Sequence, residues 1–318
     1  MKPGSSQIVE RVLTRLKLRQ LRLLVAVAHR GSILHAARDL NLSQPAATKM
    51  IKDLETDFQV QLFTRNNRGV VPTVFGESLV RHGKLVFTQI AHAAQELEDL
   101  AEGNAGRVVV GTLLAASARL LPEAIATVLN DRPDLVIKVV EGTNEVLMPA
   151  LRSGELDLVV GRLPTLRHRS DLDQKKLYDE KIVACVRAGH PLISKARIGL
   201  QDIDRFGWIL PPAETTLRRQ LDQHFVARAA FAPSRVVDSV SYLTNRALVA
   251  ASDFVTLLPA QVAEADFASG ALVRLDWQVP VGAGPVGVSF RQSGSLSPAA
   301  RAFVAVLTET GAMIDADK

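Results

Sequence analysis

The residues in this sequence that could do enzymatic chemistry do not assemble into a known arrangement. The run Gly282-Ala283-Gly284-Pro285-Val286-Gly287 has the spacing of a dinucleotide fingerprint. That motif works by presenting a helix N-terminus to a pyrophosphate. Pro285 and the Val-rich stretch after it predict a strand, which has no such end to offer. The seven histidines, His29, His35, His82, His92, His168, His190 and His224, are scattered, without an HExxH pair or a cysteine cluster. A tetrahedral metal site needs three or four such ligands converging. There is no GxSxG elbow to raise a serine nucleophile. The one cysteine, Cys185, lies in the apolar run Ile182-Val183-Ala184-Cys185-Val186. It reads as strand filler, because a free cysteine packs as a small hydrophobe. The expectation is no enzyme, no cofactor and no metal.

Charge points elsewhere. The net charge is +5, and residues 1–72 carry twelve Lys/Arg against five Asp/Glu, whereas the remainder carries 26 against 28. A basic excess confined to one small region is the electrostatic footprint of a polyanion binder. A solvated basic face would look the same by charge alone, so the elements that carry the charge decide.

Three helical patterns open the chain. The first runs from about Lys17 to His29, with Leu18, Leu21, Leu24, Val25 and Ala28 at helical spacing, and Gly31 ends it. The second runs from Ser32 as N-cap to Leu40, with Ile33, Ala36, Ala37 and Leu40 inward. The third runs from Ser43 to about Phe58, with Pro45 in its first turn and Ala46, Ala47, Met50, Ile51, Leu54 and Phe58 inward. Two short amphipathic helices across the turn Asn41-Leu42 predict a helix-turn-helix. Leu62 to Thr73, with its basic Asn/Gly-rich tip, predicts a β-hairpin beside it, a wing. A long helix over 74–102 carries the stripe Phe75, Leu79, Val86, Ile90, Ala93, Leu97 and Leu100. Such spacing predicts a coiled-coil-like dimer seam, with packing on its own domain as the alternative. Gly103-Asn104-Ala105-Gly106 predicts a domain boundary. Residues 1–16 precede the first helix without an assigned element.

From Arg107 the texture becomes α/β. Strands at 108–111, 136–141, 156–161, 181–186, 207–210, 235–237, 255–259 and 286–290 alternate with helices at 118–130, 145–153, 216–227, 242–251 and 298–310. This alternation predicts doubly wound, mostly parallel sheets. Two subdomains with a cleft between them are expected, the first over about 107–180 and 265–318, the second over about 181–264. No apolar run approaches the roughly 18 residues of a membrane span, and no signal peptide is apparent. The expected location is the cytoplasm, which together with the basic N-terminal region argues against a two-lobed solute-binding transport protein, the second rival after an enzyme.

With these elements in place, the chain resembles the LysR-type transcriptional regulators from about Leu18 to Thr310. The resemblance is strongest in Ala36-Ala37-Arg38-Asp39-Leu40-Asn41-Leu42-Ser43-Gln44-Pro45-Ala46, Ile51-Lys52-Asp53-Leu54-Glu55, Leu62-Phe63-Thr64-Arg65 and Pro72-Thr73-Val74-Phe75-Gly76. Weaker matches are Gly111-Thr112, Gly154 to Gly161, and Gly189-His190-Pro191-Leu192. Three positions depart from the family pattern. Gln59 stands where glycine is usual, Phe75 where alanine is frequent, and Thr48 where serine is common. Within the family, the wing is similar to that of members controlling sugar or aromatic-acid metabolism.

The resemblance implies a winged helix-turn-helix over 17–73, a linker and dimerisation helix over 74–103, and an effector-binding domain over 107–318 with a fold similar to periplasmic binding proteins. The third helix would enter the major groove by its N-terminal turn, turning Ser43, Gln44, Pro45, Ala46, Thr48 and Lys49 to the DNA. Gln44 suits adenine edges and Ala46 a thymine methyl. Thr48 and Lys49 suit phosphates, and Ser43 both caps the helix and reaches a phosphate. Arg65 and Arg68 on the wing would meet the backbone or minor groove. Arg38 is either a contact or a surface charge.

Ligands of such sheets bind beyond the carboxyl ends of the strands. Thr112, Ser117, Thr143, Asn144, Gly161 and Arg162 hold those positions in the first subdomain, and Pro211, Pro212, Thr215, Thr216 and Ser241 in the second. Each hydroxyl could equally be a plain N-cap, and Arg162 could be a surface ion pair. As a set they suit a small-molecule effector that is a carboxylate or sugar-like. The expected partners are double-stranded operator DNA, that effector, a second copy in a dimer (a tetramer by the resemblance) and RNA polymerase, with no membrane.

Overall fold

A computed structural model describes residues 5–66, 69–102, 106–164, 171–227, 235–291 and 296–317. The chain divides into two compact units, Met1–Gln95 and Glu96–Lys318.

The first unit holds α1 (Ser5–Arg15), α2 (Leu18–Arg30), α3 (Ile33–Asp39), α4 (Gln44–Phe58), the hairpin β1 (Phe63–Asn66) and β2 (Gly69–Pro72), and the start of α5 (Val74–Glu102). Local chemistry sets the ends. The Gln20 Oε1 accepts from the Lys17 backbone N–H at 2.9 Å, and Gly31 closes α2 in the left-handed region at φ 62°. Ser32 Oγ accepts from His35 N–H, and Ser43 Oγ accepts from Ala46 N–H, each at 3.4 Å. These hydroxyls satisfy amides that the first turn of a helix leaves unpaired. Leu21, Leu23, Leu24 and Val27 pack with Ile51, Leu54, Leu62 and Phe63, and the small Ala36, Ala37 and Ala47 fill the same core. The stretch before α2 is itself helical. Ile8, Val12 and Leu16 repeat every fourth residue, Leu16 leans on the core, and Arg15 pairs with Asp57 of α4 at 3.9 Å.

The α5 stripe divides, and only the alternative reading, packing on its own domain, is seen in part of it. Leu79, Val80 and Phe87 rest on the core of this unit. Phe75, Val86, Ile90 and Leu97 stay exposed (59%, 38%, 46% and 69%), and Leu100 has its side chain outside the described residues. Of the expected boundary, residues 103–105 also lie outside them.

The second unit contains two five-stranded sheets. The elements of the first are β3 (Arg107–Thr112), α6 (Leu114–Ser117), α7 (Leu120–Asp131), β4 (Val136–Glu141), α8 (Asn144–Ser153), β5 (Leu158–Arg162) and β6 (Leu172–Glu180). The second is built from β7 (Ile182–Arg187), α9 (Leu200–Ile203), β8 (Trp208–Leu210), α10 (Thr216–Ala227), β9 (Val236–Asp238), α11 (Tyr242–Ala250), β10 (Val255–Pro259), α12 (Ala260–Ser269) and β11 (Leu272–Arg274). The chain then returns with β12 (Gly284–Arg291) and α13 (Pro298–Ala316).

The strand orders are β4-β3-β5-β12-β6 and β9-β8-β10-β7-β11. In each, three strands are parallel and two antiparallel strands complete the edge. Helices cover both faces of the first sheet: Leu120, Leu121, Phe303 and Leu307 lie on one side of Val108 and Val110, and Leu147 and Leu151 pack with Val159 on the other. Cys185 is fully buried in the second sheet with Ile209, Val249 and Leu258.

Three expectations need correction. The second return falls after Arg274, not at residue 265, because β11 pairs with β7 and so belongs with α12 to the second subdomain. The helix expected at 118–130 is α7, Leu120–Asp131, but the short helix α6 precedes it across Ala118-Arg119, so Ser117 ends α6 and does not directly precede α7. The edge strand β6 was not apparent, because an edge keeps one side in water and Asp173, Gln174, Lys175 and Lys176 disguise its alternation. The Gly282–Gly287 run leads into β12, a strand with no helix N-terminus.

Candidate DNA interface and ligand cleft

In the first unit, the opening turn of α4 is bare. Gln44, Pro45 and Lys49 are exposed, Ala46 and Thr48 are half-buried, and Ser43 is exposed with its oxygen engaged as the cap. The Ser43 hydroxyl proton is still free to donate, so capping and a phosphate contact are compatible. Asp39 takes Arg30 at 2.6 Å, and Arg38 is exposed. Of the two wing arginines, Arg65 has its backbone in β1 and its side chain outside the described residues, and Arg68 lies outside them altogether.

The wing is fastened to the helices by contacts that sequence reasoning missed. Glu55 of α4 accepts from the N–H groups of Leu62 and Phe63 at 2.8 and 3.3 Å. Val70 N–H donates to Gly31 O at 2.9 Å. Thr73 Oγ1 donates to Gln61 O at 2.7 Å and accepts from Gly76 N–H at 3.1 Å, capping α5. A Cβ at Gly76 would stand 2.0 Å from Leu62 O, so this turn requires glycine. Gln59, by contrast, adopts φ 55° at the end of α4, a conformation that suits glycine better.

In the second unit, a cavity of about 750 Å³ opens between the two sheets. The carboxyl ends of β3, β4 and β5 meet those of β8 and β9 there, and both subdomains line it. Of the expected residues, Ser117, Thr143, Arg162, Thr215, Thr216 and Ser241 line the cavity, with Asn144 and Pro211. Thr112, Gly161 and Pro212 do not. Thr112 is buried with its hydroxyl donating to Leu113 O, Gly161 presses on Leu113, and the Pro212 carbonyl accepts from Thr215. Several hydroxyls are engaged locally: Ser117 with Leu114 O at 2.9 Å, Thr215 with Pro212 O at 2.8 Å, and Ser241 as the cap of α11.

Arg162 is no surface ion pair. Burial depresses its proton affinity, opposed by the nearby charge of Glu180, yet a guanidinium stays charged. Its Nη2 reaches Gln220 of the other subdomain at 3.4 Å, and Nη1 is buried with no hydrogen-bond partner among the described residues. Asn144 Oδ1 and Asn245 Oδ1 are likewise buried and unpartnered. Glu141, Glu145 and Asn245 are lining residues that the sequence did not single out. An asparagine inside a helix, such as Asn245, carries no local signal that separates a cap or surface residue from a site.

Comparison with known proteins decides the assignment. The model "Bacterial regulatory helix-turn-helix protein, lysR family" matches residues 18–77, and "LysR substrate binding domain" matches 101–312. The chain belongs to the LysR family. The regulator GbpR of Azospirillum brasilense is 34% identical over 294 residues, covering 92% of this chain and 86% of that one. The regulator PcaQ of Agrobacterium fabrum is 33% identical over 277 residues, covering 87% and 89%. A full-length OxyR variant from Pseudomonas aeruginosa is 28% identical, with a TM-score of 0.58, covering 94% and 98%. CbnR complexed with its target DNA has a TM-score of 0.62 at 20% identity, covering 93% and 100%, a likeness of fold.

This LysR-type protein is therefore a DNA-binding transcriptional regulator with an effector-binding domain, as the resemblance implied. The left-handed backbone at Gln59, φ 55°, is a physical reason for the glycine that the resemblance led us to expect there. Its cysteine does not suit a thiol sensor: Cys185 is fully buried and burial pushes its pKa up to about 12. No helix among the described residues is long and apolar enough to cross a membrane.

Proposed function

We propose that this regulator reads an operator with the first turn of α4 and is switched by a small carboxylate or sugar-like effector held in the cleft of its second unit. The observation that carries the effector half is the cavity of about 750 Å³, lined from both subdomains at the ends of their parallel strands. That is where open α/β sheets bind ligands. A ligand touching both walls favours the closed arrangement, and such differential affinity is what shifts a conformational equilibrium.

Within this reading, residues 17–73 form the DNA-binding domain, 74–103 the dimerisation helix and 107–318 the effector domain. Gln44 and Ala46 face base edges, Ser43, Thr48 and Lys49 hold phosphates, and Arg65 and Arg68 extend the contact from the wing. The exposed Phe75, Val86, Ile90 and Leu97 form the seam of a homodimer, itself half of a tetramer. The protein works in the cytoplasm with RNA polymerase as its target, and catalyses no reaction.

The test is fluorescence anisotropy with the DNA upstream of its own gene and a scrambled control, as a salt series. Wild type should bind the upstream DNA more tightly, with a steep salt slope. Gln44→Ala should erase the preference and keep the slope. Equal binding of both DNAs by wild type, or an unaltered preference in the variant, would overturn this assignment of Gln44.

A further inference from the structure

The cleft states what its ligand must bring. Asn245 is 6% exposed and lines the cavity, and its Oδ1 is buried without a partner among the described residues. Asn144 spends its Nδ2 on Arg162 O at 3.3 Å, leaving its own Oδ1 buried and unpaired on the opposite wall. Both orphan atoms are acceptors and ask for donors, one on each subdomain. Arg162 Nη1 is the reverse, a buried cationic donor that asks for an acceptor. A buried polar group left unmatched is costly, and a charged one most of all. Between these points the walls are largely apolar, with Leu114, Ile209 and Val262.

We infer that the effector is a small monocarboxylic acid bearing at least two hydroxyl groups. Its carboxylate lies against Arg162, and its hydroxyls donate to Asn144 and Asn245. A plain carboxylate satisfies Arg162 and strands both carbonyl acceptors. A neutral polyol satisfies the acceptors and strands the guanidinium. A second carboxylate would have to settle near Glu141 or Glu145, which also line the cavity. This inference rests on the cleft being the effector site.

Two sources of this chemistry differ in the body that carries it, a polyhydroxy aliphatic chain or a hydroxylated ring. Titration calorimetry on the full-length protein would use six probes: gluconate, glucose and hexanoate for the first, and 3,4-dihydroxybenzoate, catechol and benzoate for the second. At least one hydroxy acid should bind, with its neutral and hydroxyl-free counterparts at least about ten-fold weaker. Arg162→Met should weaken the hydroxy acid at least about ten-fold, and Asn245→Leu should remove its advantage over the hydroxyl-free acid. Circular dichroism and operator binding verify that the variants are folded. The inference is overturned if neither hydroxy acid binds, if a counterpart binds as tightly, or if folded Arg162→Met binds unchanged.

Ser117→Trp, which fills the cavity, separates this inference from the reading beneath it. A panel of amino acids and nucleosides is run beside the six probes. If one of these binds wild type and fails on Ser117→Trp, the cleft is the effector site and the hydroxy-acid assignment falls. If a hydroxy acid binds wild type and Ser117→Trp alike, the cleft itself is the wrong site.

Discussion

Removing the Glu55 carboxylate should free the wing from the recognition helix without unfolding either. One oxygen of Glu55 accepts two backbone N–H groups, from Leu62 at 2.8 Å and Phe63 at 3.3 Å. Both residues are buried, 1% and 6% exposed, so water cannot readily replace the lost acceptor. A hydrogen bond to a charged group contributes about 1.5–3 kcal/mol, and an orphaned buried amide costs about 1–3 kcal/mol. The longer contact counts for less, so Glu55→Ala should loosen the base of the hairpin by about 2–3 kcal/mol. At about 1.4 kcal/mol per factor of ten, the opening that exposes these amides becomes roughly 30- to 150-fold more frequent. Hydrogen exchange resolved to single amides is the assay. Leu62 and Phe63 should exchange faster by that factor, and the amides of α4 before Ile51 should not change. Glu55→Gln keeps a carbonyl oxygen and loses only the charge, so it should fall between alanine and wild type. The reasoning is refuted if Glu55→Ala leaves the two amides within about three-fold of wild type, or if the glutamine variant is as damaging as alanine.

Gln59→Gly should stabilise the first unit by about 0.5–1 kcal/mol, because a left-handed residue costs about 1–2 kcal/mol and glycine returns part of that as unfolded-state entropy. Urea denaturation followed at α4 checks it, and a lower midpoint for glycine would contradict the strain at φ 55°. Lys49→Ala should weaken binding equally on operator and scrambled DNA and reduce the salt slope by about one, the mark of a phosphate contact. Anisotropy titrations measure both. The Cys185 thiol, pushed up to about 12 by burial, should resist a thiol reagent at pH 8 until the protein is denatured. Because its folded pKa is raised, the stability it contributes is full below the unfolded value and declines as pH climbs from about 9 towards 12. Cys185→Ala should flatten that alkaline decline, and an unchanged decline would assign it to other groups.

The parts of this chain legible from sequence are those where local chemistry and long-range packing agree. Ser32, Ser43 and Gly31 sit at helix ends because their side chains, or the lack of one, fit those ends. Strands buried on both faces, such as Val255–Pro259, read as apolar runs. What stayed hidden depends on neighbours distant in sequence. The strand Leu172–Glu180 is polar on its exposed positions and is defined by pairing with Gly284–Arg291, over a hundred residues later. The helix Ala260–Ser269 follows β10 at once, and the strand Leu272–Arg274 is only three residues long. In the cleft, position at a strand end found Arg162 and the hydroxyl residues. It could not find Asn245, which is placed there by the helix it sits in, nor separate Thr112, whose hydroxyl turns back onto Leu113 O.

On the proposed reading, two side-chain contacts across the cleft are too weak to close it alone, which leaves closure to the ligand. Arg219 of α10 approaches Glu145 of α8 at 3.8 Å, with the side chains 54% and 32% exposed. Such a pair contributes about 0–1 kcal/mol. Arg162 to Gln220, at 3.4 Å, is a long hydrogen bond of similar weight. Moving a two-state equilibrium from 1:99 to 99:1 takes about 5.5 kcal/mol of differential affinity, more than these two contacts provide. The unmatched atoms can supply the difference, because Asn144 and Arg162 belong to one wall and Asn245 to the other. A ligand that satisfies only one wall binds the open and closed arrangements equally and shifts nothing, however tightly it is held. A ligand that satisfies both gains its last hydrogen bond only on closure. On the proposed reading, orphaned polar atoms on both walls would make the same interactions serve as recognition and as switch.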